Sequence, residues 1–362
     1  MQVTSLDQQL NFFNGKAIPK KKINVEKNIG YKVYGSNGVI GYSESFNHEN
    51  AIVIGRVGAY CGSVQYEPGK FWATDNTIVC RPTDLKEITY FYYLLEFLNL
   101  NQYAGGAAQP LLTQSVLNTI KVKIHDESER EFLGNFLNKI DESMDLIEKQ
   151  IFIFEKLIRS NFEEWFINFK FPNHEHVKFV DGIPEGWEYN ELIELFVLQR
   201  GFDLSNSKRI LGDIPIYAST GIVGYHNENK VLEKTVITGR SGSLGEVMIT
   251  NGPSWPLNTT LWVKEFKKFT PEMAYFTLKN LELESFNAGA AVPTLNRNDV
   301  HKVKILTPTK EIINEFSKLA SQIFDQIHLL KLKNEKLVEL KETLLPRLMS
   351  GELDVSKLSS IE

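Results

Sequence analysis

The sequence is short of cysteine, and no long apolar run interrupts it. Only Cys61 and Cys80 occur among 362 residues. Two thiols cannot make a disulfide framework, and no further Cys or His stands at the spacing of a structural zinc site. Both are expected as buried thiols, since free Cys packs as a small apolar residue. No apolar stretch approaches the roughly 18 to 20 residues that span a bilayer. Met1-Gln-Val-Thr-Ser-Leu-Asp7 lacks the basic-then-apolar pattern of a secretory signal. A soluble cytoplasmic protein without membrane contact is expected. Catalytic motifs are missing too: there is no Gly-x-Gly-x-x-Gly after a strand, no Walker lysine, no His-Glu-x-x-His and no Asn/Asp-Pro-Pro-Tyr. His174 and His176 flank Glu175 in a polar linker and, without further ligands, are expected to be solvated rather than metal-bound. Excess positive charge is also absent. Lys and Arg number 40 against 45 Asp and Glu, a net charge of −5. That argues against a protein that grips nucleic acid by bulk attraction, because phosphate neutralisation supplies much of such affinity.

What is present is a duplication. Tyr34-Gly-Ser-Asn-Gly-Val-Ile-Gly-Tyr42 returns as Tyr217-Ala-Ser-Thr-Gly-Ile-Val-Gly-Tyr225, 183 positions later. Gly55-Arg56-Val-Gly58 returns as Gly239-Arg240-Ser-Gly242, Trp72 meets Trp255, and Asp75-Asn76-Thr77 meets Asn258-Thr259-Thr260. Gly106-Ala-Ala-Gln-Pro110 meets Gly289-Ala-Ala-Val-Pro293 at the same offset. The unit is far longer than the roughly 20 to 50 residues of a solenoid repeat, so these are two whole domains of one fold. A covalent pseudo-dimer suits a ligand with two related sites at fixed spacing, of which duplex DNA is the commonest. A fused old homodimer, or a carbohydrate or peptide module doubled for avidity, is the other reading.

Each repeat ends in a helical seam. Leu137, Ile140, Met144, Ile147, Ile151, Phe154 and Ile158 alternate spacings of three and four, the a/d pattern of a coiled coil. Shifted by 183, the seam becomes Ala320, Ile323, Ile327, Leu330, Asn334 and Leu337. From Glu129 to Asn168 there is no Pro and only Gly134. At about 1.5 Å per residue such a helix is on the order of 55 to 60 Å long. The sister helix is expected from about Glu311 to Leu345, ended by Pro346 and Gly351. Chain connectivity predicts an antiparallel pair. The alternative is that each helix packs on its own domain as an ordinary amphipathic helix. Asn334, where the first copy has Ile151, either fixes register or marks a frayed seam position.

The globular parts read as short strands punctuated by Gly, Asn and Pro: Ala51 to Gly55, Thr77 to Cys80, Thr235 to Ile237 and Thr260 to Val263. Helical stretches follow at Tyr90 to Leu98 and Met273 to Leu281, then closing strands at Ile120 to Ile124 and Val303 to Leu306. Ile183-Pro-Glu-Gly-Trp187 opens the second copy, whereas the first lacks this threshold and starts at Leu6 to Phe13.

Arg56 and Arg240 stand in Gly-Arg-x-Gly, where glycines permit a tight turn and the guanidinium can fork onto a phosphate or guanine. An internal salt bridge holding that turn is the other possibility. Ser36-Asn37 and Ser219-Thr220 sit in the hairpin-like repeats, as contact loops or plain turns. Lys16, Lys20, Lys21 and Lys22 form the densest basic run, and Arg200, Lys208 and Arg209 fall in roughly the same place of the second copy. Such runs suit phosphate positioning or an ordinary solvated loop. Gly-Ala-Ala-x-Pro is expected to be structural.

In order and duplication these motifs resemble the specificity (S) subunit of type I restriction and modification enzymes. Ile-Pro-Glu-Gly-Trp187 opens the second unit and Leu345-Pro-Arg-Leu-Met-Ser-Gly-Glu-Leu353 closes the second helix. The resemblance implies an α+β fold: two duplicated mixed α/β target-recognition domains separated by an antiparallel pair of long coiled-coil helices. It places the first recognition domain at 1–128, spacer helix one at 129–170, a linker at 171–186, the second domain at 187–308, spacer helix two at 309–350 and a tail at 351–362. It further implies a non-catalytic subunit. Its domains each read half of a bipartite, asymmetric double-stranded DNA site, two methyltransferase (M) subunits dock on its helices, and restriction motor (R) subunits join for cleavage. S-adenosylmethionine, ATP and Mg then belong to partners, with no cofactor or metal in this chain. The competing class is a duplicated ligand-binding or scaffold protein assembled through its coiled coil.

Overall fold

The computed structural model describes residues 1–25, 29–106, 110–286, 294–353 and 355. The chain divides into two compact units, Met1–Ile147 with Lys333–Glu362, and Glu148–Leu332. Each is built from one sequence repeat and a segment of each long helix.

In the first unit β1 (Gln2–Ser5), β2 (Leu10–Asn14), β3 (Tyr31–Gly35), β4 (Gly38–Ser43), β5 (His48–Gly55), β6 (Val64–Ala73) and β7 (Thr77–Pro82) precede α1 (Ile88–Phe97), α2 (Gln114–Thr119), β8 (Lys121–Ile124) and α3 (Glu127–Phe162). Six strands form one sheet in the order β2-β7-β5-β6-β3-β4. The continuous apolar run Ala51–Ile54 fills buried positions of β5, as a strand covered on both faces requires. In β8 the alternation Lys-Val-Lys-Ile buries every second side chain. Thr113 caps α2, its hydroxyl accepting from the Val116 amide at 3.3 Å.

The second unit repeats this order. After a short hairpin of β9 (Phe179–Val180) and β10 (Ile183–Pro184) come β11 (Glu188–Glu191), α4 (Leu192–Leu195), β12 (Phe196–Arg200), β13 (Ile214–Ala218), β14 (Gly221–His226), β15 (Val236–Gly239), β16 (Val247–Ile249), β17 (Trp255–Pro256) and β18 (Thr260–Phe266). Then follow α5 (Pro271–Asn280), α6 (Arg297–His301), β19 (Lys304–Thr307) and α7 (Lys310–Met349). Registers repeat with the sequence: Val33 opposes Trp72 in a parallel pair, and Ile216 opposes Trp255 in another. Here the sheet is divided into β12-β18-β15-β16 and β14-β13-β17. The break falls at Asn251-Gly-Pro-Ser254, between β16 and β17, where the first copy has the unbroken β6. Pro253 has no amide to give to a ladder, whereas Pro68 of β6 sits at a bulge where the register shifts between Glu49 and Ala51.

Two expectations are corrected. The first copy does have an opening strand ahead of Leu6: β1 pairs with β8 as β11 pairs with β19. Four residues suffice because β8 supplies a ready edge. The second helix does not stop at Pro346 but runs on to Met349. Pro346 forfeits one amide bond and crowds the preceding turn, while the turn beyond it buries Leu348 and Met349, each 1% exposed. Burial at about 1.5 to 3 kcal/mol per side chain offsets that cost. Gly351, at φ +78°, then turns the chain.

The seam residues Leu137, Ile140 and Ile147 are buried, and Met144 is half-buried. Leu137 and Ile140 share the first unit's core with α1, and Leu337 and Leu344 of α7 pack against it. In the second unit Ile323 and Ile327 share a core with Ile158, Phe162 and α5, with Ile151 and Phe154 packed against it. Leu330 is half-buried. Lys331 reaches Glu155 at 3.9 Å and Phe316 meets Phe162 at 5.8 Å, so the two helices run antiparallel there. The helices therefore pair with one another and also enter the domain cores. Asn334 is half-buried, its side-chain oxygen without a partner among the described residues.

The helix ends repeat as well. The Lys170 amide donates to the Glu164 carbonyl at 2.7 Å after α3, and the Leu353 amide to the Arg347 carbonyl at 3.1 Å after α7. Both cysteines are buried and free, and burial pushes the Cys80 thiol up. Among the described residues no helix is long and apolar enough to cross a membrane.

Candidate nucleic-acid interface

In each repeat the Gly-Arg-x-Gly turn is pinned by its backbone. The Arg56 amide donates to the Asn76 carbonyl at 3.0 Å, and the Arg56 carbonyl accepts from the Leu112 amide at 2.9 Å. The Arg240 amide donates to the Thr259 carbonyl and its carbonyl accepts from the Leu295 amide, both at 2.8 Å. Close approach explains the glycines. A Cβ at Gly55 would lie 2.4 Å from the Ser36 carbonyl oxygen, and one at Gly239 would lie 2.0 Å from that of Ser243.

The β3–β4 hairpin tip is drawn onto this turn. The Ser36 hydroxyl donates to the Asn76 carbonyl at 2.8 Å and accepts from the Val57 amide at 3.3 Å, while the Ser63 hydroxyl donates to the Ser36 carbonyl at 2.7 Å. Ser36 is thereby a brace, and Asn37 beside it is exposed. In the second unit Ser219 is buried, 3.3 Å from where a Gly239 Cβ would stand, and Thr220 is exposed. Hairpin tip and Gly-Arg turn thus form one surface in each unit.

The hairpin base is fixed differently in the two copies. In the first, the Tyr34 hydroxyl and the Lys32 ammonium each donate to Glu67 Oε2 at 2.8 Å, and the Gly69 amide donates to Oε1 at 3.0 Å. Burial pushes the Glu67 carboxyl up, but these donors outweigh it and hold it below its ordinary value. Burial beside that carboxylate raises the Tyr34 hydroxyl. Thr250 replaces the acid 183 positions on, and its hydroxyl accepts from the Thr235 amide at 2.9 Å.

Neither arginine makes a side-chain ion pair among the described residues. Arg56 is half-buried with its Nε unpartnered, and Arg240 Nη1 donates to the Asn258 carbonyl at 3.4 Å. Carbonyl and amide bonds hold the turn, so the internal salt bridge considered from sequence is not its support.

Lys16, Lys20, Lys21 and Lys22 are all exposed. Lys16 follows β2, its amide bonded to the Ala73 carbonyl and its carbonyl accepting from the Trp72 indole at 2.8 Å. Lys20–Lys22 form a 3-10 turn, after which Asn24 pairs with Tyr42 of β4. Lys21 and Lys22 line a cleft of about 710 Å³ with Tyr42 and Glu44. The matching turn of the second unit is Asn206–Lys208, so Lys208 is the counterpart of Lys22. Lys208 is exposed, whereas Arg209 is half-buried with an unpartnered Nε. Arg200 ends β12 and pairs with Asp203 at 3.5 Å, an exposed pair that is weak in water. The Gly-Ala-Ala-x-Pro motifs lie largely or wholly outside the described residues, at 107–109 and 287–293.

Among the described residues no three His, Cys, Asp or Glu side chains converge as metal ligands. The interface offers exposed cations, polar tips and arginines carried on pinned turns, a chemistry of binding phosphates and base edges.

Two repeats of one α+β scaffold, each presenting such a surface, define a duplicated recognition protein. The chain belongs to the family of the type I restriction modification DNA specificity domain, whose model matches residues 1–152 and 184–342. It is 33% identical over 117 residues to the type I restriction enzyme EcoprrI specificity subunit of Escherichia coli, covering 32% of this chain and 29% of that protein. It is 25% identical over 315 residues to the MjaIX specificity subunit of Methanocaldococcus jannaschii, covering 76% and 72%. The crystal structure of the type I restriction-modification S subunit from M. genitalium superposes with a TM-score of 0.77 over 96% of both chains, at 18% identity. That likeness establishes the fold.

Proposed function

We propose that this chain is the non-catalytic DNA-specificity subunit of a type I restriction-modification complex. Its two recognition domains read a bipartite, asymmetric double-stranded site, each through its Gly-Arg turn, hairpin tip and neighbouring basic turn. The observation that carries this reading is the repeated pinning of Arg56 and Arg240 by equivalent backbone bonds, beside tips that differ, Ser36-Asn37 against Ser219-Thr220. A common frame with unlike tips suits two unlike half-sites.

Two methyltransferase subunits dock on α3 and α7, and restriction motor subunits join them. Exposed Phe152, Ile153, Leu157 and Leu329 in the second unit, and Leu146 and Leu340 in the first, supply apolar surface on those helices that favours partner helices. S-adenosylmethionine, ATP and Mg reside on those partners. With a net charge of −5 the chain alone binds DNA weakly and gains affinity in the complex.

Single-molecule methylome sequencing of cells with and without this gene tests the reading. A split, asymmetric methylated motif that vanishes with the gene is expected. An unchanged methylome in cells that express the whole operon refutes it.

A further inference from the structure

Each repeat exposes an aliphatic pair that the recognition surface described above does not use. Val39 and Ile40 are 43% and 41% exposed on β4, and Ile222 and Val223 are 50% and 41% exposed on β14. Neighbouring residues of a regular strand point to opposite faces. Both copies escape that rule in the same way. Val33 opposes Gly41 while Tyr34 opposes Val39, which leaves Ile40 as an extra residue in a β-bulge. The second hairpin shifts register between Pro215 and Tyr217, across Val223. Bulges re-aim side chains and recur beside functional sites. Glycines in left-handed backbone flank each pair, at φ +90° and +150° for Gly38 and Gly41, and +123° and +145° for Gly221 and Gly224.

Water-exposed aliphatic side chains on a sheet edge invite aggregation unless they have an occupant. What lies beside the second pair points to a polyanion. In the first unit that place is apolar, with Ile23 Cγ2 2.5 Å from where a Gly41 Cβ would stand, and Lys22 lies farther along the strand in a cleft with Tyr42 and Glu44. In the second, Arg209 Nη1 lies 3.9 Å from the same position at Gly224. An apolar protein partner gains nothing from a guanidinium at the rim of Ile222–Val223, whereas duplex DNA sets phosphates beside a groove floor that carries thymine methyls, and the repeated bulge extends the same role to Val39–Ile40.

We propose that Val39–Ile40 and Ile222–Val223 enter a groove of duplex DNA, one pair in each half-site, and make apolar contact with bases, while Arg209 holds a flanking phosphate beside the second pair. This rests on the DNA-reading function proposed above and adds an apolar contact with the bases to the polar ones.

The test uses the chain assembled with its methyltransferase subunits and a duplex carrying the methylated motif. Val39→Ser with Ile40→Ser, and separately Ile222→Ser with Val223→Ser, should each weaken binding by about tenfold or more, in line with the loss of two buried aliphatics. The slope of log Kd against log salt should stay as in the parent, because no phosphate contact is lost. Arg209→Ala should lower that slope instead. A photoreactive phenylalanine analogue at position 40 should crosslink to DNA, a readout that does not depend on the serine variants folding. Unchanged affinity in the serine pairs, or crosslinking to a methyltransferase subunit, overturns the proposal. Absence of sequence-selective binding by the parent complex defeats the DNA-reading function itself, so the two failures are distinguishable.

Discussion

The Arg56 carbonyl accepts from the Leu112 amide at 2.9 Å, and the Arg240–Leu295 bond repeats it at 2.8 Å. Because these contacts are made by backbone, truncating either arginine leaves its turn in place. Arg56→Ala should therefore barely shift the thermal midpoint, yet weaken binding of the assembled complex to its target by about 1 to 3 kcal/mol. The loss should confine itself to one half-site, with Arg240→Ala acting on the other. Competition binding with single-base variants of the motif measures this. A uniform loss across all sequences would assign the guanidinium to phosphate.

Lys16, Lys20, Lys21 and Lys22 are exposed and follow β2 in one short stretch. If they position phosphates, replacing Lys20, Lys21 and Lys22 with Ala should flatten the slope of log Kd against log salt by about 2 to 3. Base preference should be retained. Anisotropy titrations between low and moderate salt give the slope, and an unaltered value would make the run an ordinary solvated loop.

Much of this scaffold was legible in the sequence because the duplication exposes it twice. Tyr34–Tyr42 and Tyr217–Tyr225 both form hairpins, and Arg56 and Arg240 sit in equivalent turns. The seam from Leu137 to Ile158 reports burial correctly at its buried positions, since period carries the same information in either repeat. Other features leave no local trace. The β1 strand depends on the edge offered by β8, which is 116 residues or more away, and the last turn of α7 depends on where Leu348 and Met349 land. The aliphatic pairs were visible as Val-Ile and Ile-Val between glycines. Their exposure follows from a bulge, and alternation alone cannot forecast one.

Gly134 lies where α3 passes α1. A Cβ there would stand 2.4 Å from both the Tyr90 amide nitrogen and the Thr89 hydroxyl oxygen. Alanine is the better helix former by about 1 kcal/mol, but the helices must separate to admit it. Gly134→Ala should destabilise the first unit by about 1 to 3 kcal/mol, the usual range for overpacking. In urea unfolding a gain in stability would mean that the helix contact yields freely. Ser317 holds the equivalent place in the second copy and shares a 2.7 Å hydrogen bond with Thr270.

One junction is polar in the first unit and apolar in the second. Lys341 lies 2.9 Å from Asp141 and 3.4 Å from Glu96, and the Tyr93 hydroxyl donates to Asp141 at 2.8 Å. Shifted by 183, Tyr93 and Asp141 become Phe276 and Phe324, which stack with centroids 6.0 Å apart. Lys341→Met should cost about 2 to 4 kcal/mol, because it leaves two carboxylates without their cation. Adding Asp141→Leu and Glu96→Gln should restore most of that loss. Failure of the triple variant to recover in chemical denaturation would show that the cluster supplies stability beyond its charge balance.

His301 accepts from the Leu198 amide through Nε2 at 2.9 Å, a bond that only the neutral ring can accept. Burial first, then Arg297 and Lys267, hold its pKa below the ordinary 6.5. His125, bonded to the Tyr90 hydroxyl at 3.1 Å, is lowered as well, again by burial first. The folded state thus binds fewer protons than the unfolded chain below pH 6.5. Stability from these groups is complete above that pH and drains away as pH falls through the folded values. Urea unfolding from pH 8 to pH 5 should show the decline in the parent. His301→Asn should start about 1 to 3 kcal/mol lower at pH 8, having lost a buried hydrogen bond, and should respond less to acid. A variant that declines as steeply as the parent would remove His301 as a source of the acid sensitivity.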